Sequence, residues 1–162
     1  MKERYHETKN VNIQPDEVTY GAVLHALAQE GMAREAESIL DSLEDDAAII
    51  PSLTIYNTVL NAWANSPKHN APKHAESLLD RMKVLRQTGK NPTIEPDAIS
   101  ISTAISCHAR SKTRKGAERA ERMLNEAIAM YLNGNSRVKP DSIMFNCAIT
   151  GKEMCYVTDI YF

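Results

Sequence analysis

The sequence predicts an all-α protein, a right-handed α-α superhelix built as a solenoid of helical hairpins, with about three full repeats and a partial fourth. Three observations predict it. A proline-led opening recurs at Pro15, Pro51, Pro96 and Pro140. Behind each opening, apolar residues return at helical spacing and align column by column. A second block, Ala36-Glu37-Ser38-Ile39-Leu40, returns as Ala75-Glu76-Ser77-Leu78-Leu79 and as Ala120-Glu121-Arg122-Met123-Leu124. A helix-turn-helix unit of this size cannot bury its apolar face alone, so it must stack on its neighbours.

The clearest opening runs from Pro51 to Asn65. Proline and Ser52 stand where a helix begins, and Leu53, Tyr56, Val59, Leu60 and Trp63 share one face. Tyr20, Tyr56, Ile101 and Phe145 form one column; Leu24, Leu60, Ile105 and Ile149 form another. Trp63 falls in the column of Leu27 and His108, which makes it core. Ala28, Ala64 and Ala109 follow as a narrow column.

Residues 1–14 are a polar lead-in without period, and repeat 1 spans 15–50. Its first helix runs from about Asp16, as N-cap or first-turn acid, to Gln29. Gly31 makes the turn, and the second helix covers about Ala33 to Glu44 with an acidic outer face. Repeat 2 spans 51–95, with a long inner turn from Ser66 to Pro72, a second helix to about Gln87 and a loop from Thr88 to Glu95. Repeat 3 spans 96–139. Its first helix reaches Arg110, a basic turn covers Ser111 to Gly116, and the second helix reaches Leu132. Asn133-Gly134-Asn135 should end it in left-handed backbone. A partial repeat covers 140–150, and 151–162 reads as a non-repeat tail without a helical stripe. From Tyr20 to Ala36 is 16 positions, but Tyr56 to Ala75 and Ile101 to Ala120 are both 19, a shared three-residue insertion.

A length of 162 residues is about one domain, here one array. Hydrophobic content of 43% and charged content of 25% are those of an ordinary soluble chain. Aromatic content of 6% argues against stacking bases on exposed rings, and a net charge of -2 carries no general signal for nucleic acid. Cys107, Cys147 and Cys155 have no paired spacing, and the first two read as small buried hydrophobes. Five scattered His predict no metal site, and no cofactor is expected. No phosphate loop or nucleophile elbow is present, so neither an enzyme nor a small-molecule substrate is expected. No apolar run reaches membrane length. The stretch MKERYHETKNVNIQ lacks the apolar core of a secretory signal, and its two glutamates and one arginine make a poor transit peptide. The basic set Lys112, Arg114, Lys115, Arg119 and Arg122 is interleaved with Glu118 and Glu121. It reads as a solvated face, with phosphate contact as the alternative.

Across residues 15–150 the chain resembles a pentatricopeptide repeat protein. The resemblance rests on the Pro-Asp-x-Val-Thr-Tyr opening, the Leu-x-x-Ala end of the first helix and the Ala-Glu-Ser-Ile/Leu-Leu second helix. The departures are the unit lengths: 36 from Pro15 to Pro51, then 45 and 44. The resemblance implies single-stranded RNA as partner, read one base per repeat, in a mitochondrion or plastid. It pairs the residue after the first-helix aromatic with the residue after the next opening proline. Here these are Gly21 with Ser52, Asn57 with Asp97, and Ser102 with Asp141; Asn146 has no visible partner. By resemblance Asn57 with Asp97 implies uracil, and Ser102 with Asp141 a purine, guanine before adenine. Gly21 offers no side chain. Val18, Thr54, Ile99 and Ile143 match positions that sandwich the base, and Arg110 matches a phosphate contact, where the other copies have Gln29 and Asn65. Asp97 and Asp141 serve equally as helix N-caps, and the two roles are compatible. The alternative partner is another protein, held on a helical-repeat scaffold. A polar groove lined by Asn and Asp favours RNA; an apolar or carboxylate-clamping groove favours a peptide.

Overall fold

The computed structural model describes residues 16–46 and 49–161, with side chains described as far as Lys152. Among the described residues seven α-helices follow one another: α1 Glu17–Gln29, α2 Ala33–Glu44, α3 Leu53–Asn65, α4 Ala71–Gln87, α5 Ala98–Arg110, α6 Arg114–Leu132 and α7 Ser142–Tyr161. A single 3-10 turn, Ser136–Val138, precedes α7, and no strand occurs among the described residues. The helices pair as hairpins α1–α2, α3–α4 and α5–α6, with α7 opening a further unit. The first helices rank in order, α1 on α3, α3 on α5, α5 on α7. Each second helix packs on its own first helix and on the first helix of the next unit. This is the helical-hairpin solenoid that the repeated columns predict.

Local chemistry sets the helix ends. Asp16 caps α1 through its Oδ1, which accepts from the Thr19 N–H at 2.8 Å. Asp97 caps α5 in a reciprocal box with Ser100, and Thr113 caps α6 by accepting from the Gly116 N–H at 3.0 Å. Gly31 turns the first hairpin at φ +66°. Three ends differ from expectation. The helix α6 already starts at Arg114, so Gly116 lies inside it and not in the turn. A Cβ there would fall 2.7 Å from the His108 carbonyl oxygen, so glycine lets α6 start against the end of α5. At the end of α6 only Gly134 is left-handed, at φ +95°; Asn133 and Asn135 take φ -82° and -79°. Finally, α7 continues past Thr150 to Tyr161. Gly151 is buried, and a Cβ on it would lie 3.1 Å from Ala109 Cα, so the residue after the expected boundary still packs on α5.

The three-residue insertion is absorbed differently in the two units that share it. The inner turns are 30–32, 66–70 and 111–113, three, five and three residues. The second helices begin three, four and six positions before the alanine column, from Ala33 to Ala36, Ala71 to Ala75 and Arg114 to Ala120. Repeat 2 therefore lengthens its turn by two and its helix by one; repeat 3 puts all three residues into the helix.

The core is the seam between ranked hairpins. Leu24, Ala28, Leu40, Tyr56, Val59, Leu60, Trp63 and Ile105 are fully buried. Burial of each large apolar side chain contributes about 1.5–3 kcal/mol. Trp63 is core as expected, with its ring stacked on His74 at 4.0 Å and 10°. Cys107 is buried with its Sγ 3.7 Å from the Trp63 carbonyl oxygen, and burial pushes its thiol up to about 12. Cys147 is half-buried, and the Cys155 side chain lies outside the described residues.

A ladder of ion pairs joins successive units on the outer side. Glu37, Glu76 and Glu121 share one column; His74 and Arg119 stand just before it in the following unit. Glu37 Oε2 meets His74 Nδ1 at 3.2 Å, Glu76 Oε2 meets Arg119 Nη2 at 3.0 Å, and Glu121 Oε1 meets Lys152 Nζ at 2.6 Å. Arg81 is held between Asp41 at 2.7 Å and Glu44 at 2.6 Å. Glu44 also accepts from the buried Tyr56 hydroxyl. The acidic face of α2 is thus partly committed to α4. His108 is buried, with Nε2 2.6 Å from Glu76 Oε1.

Burial holds His108 below its ordinary 6.5, outweighing the opposing pull of Glu76. At Glu76 burial acts upward, but the hydrogen bonds and charge of Arg119, then His108, hold the carboxyl below its ordinary 4.5. The unfolded chain therefore protonates each group before the folded chain does. Stability is full above about pH 6.5 and falls on acidification, first through His108 and then through Glu76. Melting followed from about pH 7 to about pH 4 should show this fall, and His108→Gln should remove its upper part; a melting temperature in the native chain that stays level over that range contradicts it.

Gly31 and Gly89 give a second test. Both have positive φ, +66° and +74°. A Cβ at Gly31 would lie 2.8 Å from the Asn65 carbonyl oxygen, whereas nothing lies within 4 Å at Gly89. Gly89→Ala should cost about 1 kcal/mol, the left-handed penalty, lowering the melting temperature by about 2–4 °C. Gly31→Ala should cost at least twice that, because backbone cannot move aside. Equal losses would show that the collision is relieved.

Candidate nucleic-acid interface

Ranking the first helices brings the start of each one beside the first turns of its predecessor. Residues separated by about a repeat in sequence thereby become neighbours along one strip. Asn57, in the second turn of α3, meets Asp97, the cap of α5: Asn57 Nδ2 donates to Asp97 Oδ1 at 3.4 Å. Ser100 completes the junction. Its backbone N–H donates to Asp97 Oδ1 at 2.9 Å, and its hydroxyl accepts from the Asp97 N–H at 3.2 Å. The same hydroxyl donates to Asn57 Oδ1 at 2.6 Å. The amide of Asn57 is therefore held at both ends, oxygen by Ser100 and nitrogen by Asp97. Asp97 Oδ2 makes no hydrogen bond among the described residues, and Asn57 keeps one amide proton and one acceptor position for a ligand.

Ser102 and Asp141 come together as well. They line one hollow of about 290 Å³ with Ile99, Ile143 and Arg110. Asp141 Oδ1 also caps α7, accepting from the Met144 N–H at 2.9 Å. Capping and membership of the strip coexist at both Asp97 and Asp141. At the junction before them, Gly21 has no side chain and Ser52 makes no side-chain capping bond, so that junction offers a hydroxyl and nothing opposite it.

Val18, Thr54, Ile99 and Ile143 are all exposed, the three aliphatics at 78%, 62% and 58%. Single exposed aliphatics need no explanation, but these recur in one column of a repeat, flanking the paired polar positions. Phe145 and Ile149 continue the buried Tyr56 and Leu60 columns, yet they are exposed, since no described helix packs over that side of α7. Asn146 is exposed and lies on the wall of a wider hollow, of about 680 Å³, with Arg110. Arg110 stands between the two hollows, its Nη1 donating to Asn65 Oδ1 at 3.1 Å. Asn65 in turn donates to the Ala28 carbonyl at 3.0 Å, so Arg110 is tied through Asn65 to the end of α1.

The basic set divides. Arg119 is bound to Glu76 and Glu126, and Arg114 to Glu118, so these two belong to the ion-paired outer side. Lys112 lines the wider hollow. Sequence reasoning missed Ser100, which holds the Asn57 amide. The signal was present: Asp97-x-x-Ser100 has capping-box spacing, and Asp16-x-x-Thr19 repeats it, with Thr19 Oγ1 2.6 Å from Asp16 Oδ1. Among the described residues no group of three His, Cys, Asp or Glu is placed to hold a metal ion, and no helix is long and apolar enough to cross a membrane.

The comparisons with known proteins bear on these hairpins. The family profile of the pentatricopeptide repeat domain matches residues 5–66, which reaches from before α1 to just past α3. Three similar proteins of Arabidopsis thaliana are each named as pentatricopeptide repeat-containing. One is 32% identical over 85 residues, 52% of this chain and 12% of its own length. A second is 22% identical over 104 residues, 64% of this chain and 28% of its own length. A third is 26% identical over 121 residues, 74% of this chain and 11% of its own length. The chain thus spans between 11% and 28% of the length of these relatives. The matched profile, the relatives' shared description and the ranked hairpins agree: residues 5–66 match the pentatricopeptide repeat domain, and the chain is similar to pentatricopeptide repeat proteins.

Proposed function

We propose that the chain binds single-stranded RNA and reads bases along the strip, in a mitochondrion or plastid, where such binding serves RNA processing, stability or translation. The observation that carries this reading is the Asn57–Asp97–Ser100 junction beside exposed Thr54 and Ile99. A base sandwiched between those two side chains presents its edge to Asn57. Asp97 only accepts, so it holds one Asn57 amide proton and leaves the other facing outward. That proton matches a uracil carbonyl, and the amide oxygen's remaining lone pair matches the uracil N3–H. Cytosine carries an acceptor at N3 and an amine at C4, which opposes this orientation.

The hollow of Ser102 and Asp141 reads a purine in the same way, guanine before adenine. A hydroxyl gives and accepts, and the carboxylate takes the protons of a guanine N1–H and exocyclic amine. The first junction reads nothing, because Gly21 has no side chain. A polar strip with amide and carboxylate groups fits RNA better than a peptide. Stacking contacts contribute about 1–3 kcal/mol per base, so two readable junctions give weak binding.

Filter binding of short single strands checks the reading. Exchanging uracil for cytosine opposite Asn57 should weaken binding about tenfold, and Asn57→Ala should bring that ratio close to one. Equal affinity for every sequence and for duplex rejects base reading. Ser100→Ala gives a separate expectation. It should lower stability by about 1 kcal/mol through the lost cap and shrink the uracil preference, because the amide is then free to turn. Loss of stability with an unchanged preference would assign Ser100 to capping alone.

A further inference from the structure

The wider hollow adjoins the Ser102–Asp141 hollow and shares Ala64, Ser106 and Arg110 with it. Its charged lining is Lys68, Arg110 and Lys112, with His69 beside them, and no Asp or Glu lines it. Lys68 and His69 come from the α3–α4 turn, the long one at 66–70. Lys112 comes from the α5–α6 turn, at φ +54°. Asn65, Asn146 and Thr150 add neutral polar groups. Neither lysine is ion-paired among the described residues, and Arg110 meets only the neutral Asn65. By contrast, Arg81, Arg86, Arg114, Arg119 and Arg137 are each bound to a carboxylate. The three-residue turn of the first hairpin, Glu30-Gly31-Met32, carries an acid and no base.

We propose that this hollow is a binding site for the phosphodiester backbone of the single strand, at the step where the strand leaves the Ser102–Asp141 hollow past Arg110. The proposal rests on the RNA reading and extends it with residues of the inner turns. Its physical basis is charge separation. A net charge of -2 hides it, because Glu37, Glu76 and Glu121 sit in the outer ladder while this hollow holds cations without acids. A concave wall of that kind favours a polyanion and gives it several donors at once. The lengthened turn of repeat 2 supplies two of its groups, which gives the irregular unit length a use.

The test compares the native chain with the double variant Lys68→Gln, Lys112→Gln, and with Lys83→Gln on the outer side as control. Two probes are titrated across salt: a uracil- and guanine-containing single strand, and an abasic ribose-phosphate oligomer of equal length. Lys112 is exposed and Lys68 half-buried, and neither is ion-paired, so the melting temperature should hold. The double variant should bind both probes on the order of tenfold more weakly at 0.1 M salt, and flatten the salt dependence by about 1.4, two phosphates at about 0.7 each. Its preference for uracil over cytosine should be unchanged, and the control should behave as native. A double variant with native affinity and native salt dependence overturns the proposal while leaving base reading intact. Lysine-dependent binding of the abasic oligomer without any base preference upholds the hollow and rejects base reading. Binding of neither probe by the native chain rejects both. A polyglutamate peptide that displaces the abasic oligomer at a lower concentration than the oligomer's own overturns the assignment to RNA.

Discussion

A first helix in this chain is apolar on more than one flank, and no single partner helix covers it. That constraint produces everything else. Tyr56, Leu60 and Trp63 are fully buried because α3 lies between α1 and α5 and beneath α2 and α4. The seam forces the first helices into rank, and rank brings the cap of one unit against the second turn of the last. Where no described helix covers the flank, as at Phe145 and Ile149 on α7, the same columns are exposed. Burial here belongs to the neighbour relation and not to the helix itself.

Charge follows the same division into an outer and an inner side. The outer side carries the ladder Glu37–His74 and Glu76–Arg119, repeated in register because the columns repeat. Surface pairs of this kind contribute little one by one. Their effect is on register, since each acid finds its base only if the next unit sits at the right height. The hollow between the second and third inner turns is lined by no acid. Net charge is therefore a poor guide to this molecule: it averages a paired outer ladder with a hollow lined by cations alone.

The caps show how one residue serves its own helix end and the neighbouring unit together. Asp97 ends the α5 backbone by accepting from Ser100, and the same geometry aims it at Asn57. A cap is among the few side-chain positions whose direction is dictated by backbone, so it gives a ligand a rigid group at little entropic cost. Val18, Ile99 and Ile143 sit one helical turn or less beyond such caps. Their recurrence in an exposed column follows from the unit repeating, and their apolar character does not follow from packing.

Much of this was legible in the sequence, and the reason is locality. Helix limits such as Ala33 to Glu44 and the end at Gln87 depend on apolar period, caps and turn residues that lie within a few positions of one another. The pairing of Asn57 with Asp97, and of Ser102 with Asp141, came from the resemblance to pentatricopeptide repeat proteins, laid onto the aligned columns. Three things did not come through. Gly116 reads as a turn glycine, yet it is a helix residue made necessary by the close approach of the α5 end. The 16-to-19 change in step shows that three residues are added, but not whether turn or helix absorbs them. And the grip of Ser100 on Asn57, like the hollow that gathers Lys68, Arg110 and Lys112, depends on the height at which one hairpin rests on the next. Composition and spacing determined that the chain is a stack of helical hairpins; the offset between hairpins, set by side chains meeting across the seam, decided which polar groups share a strip and which cations share a hollow.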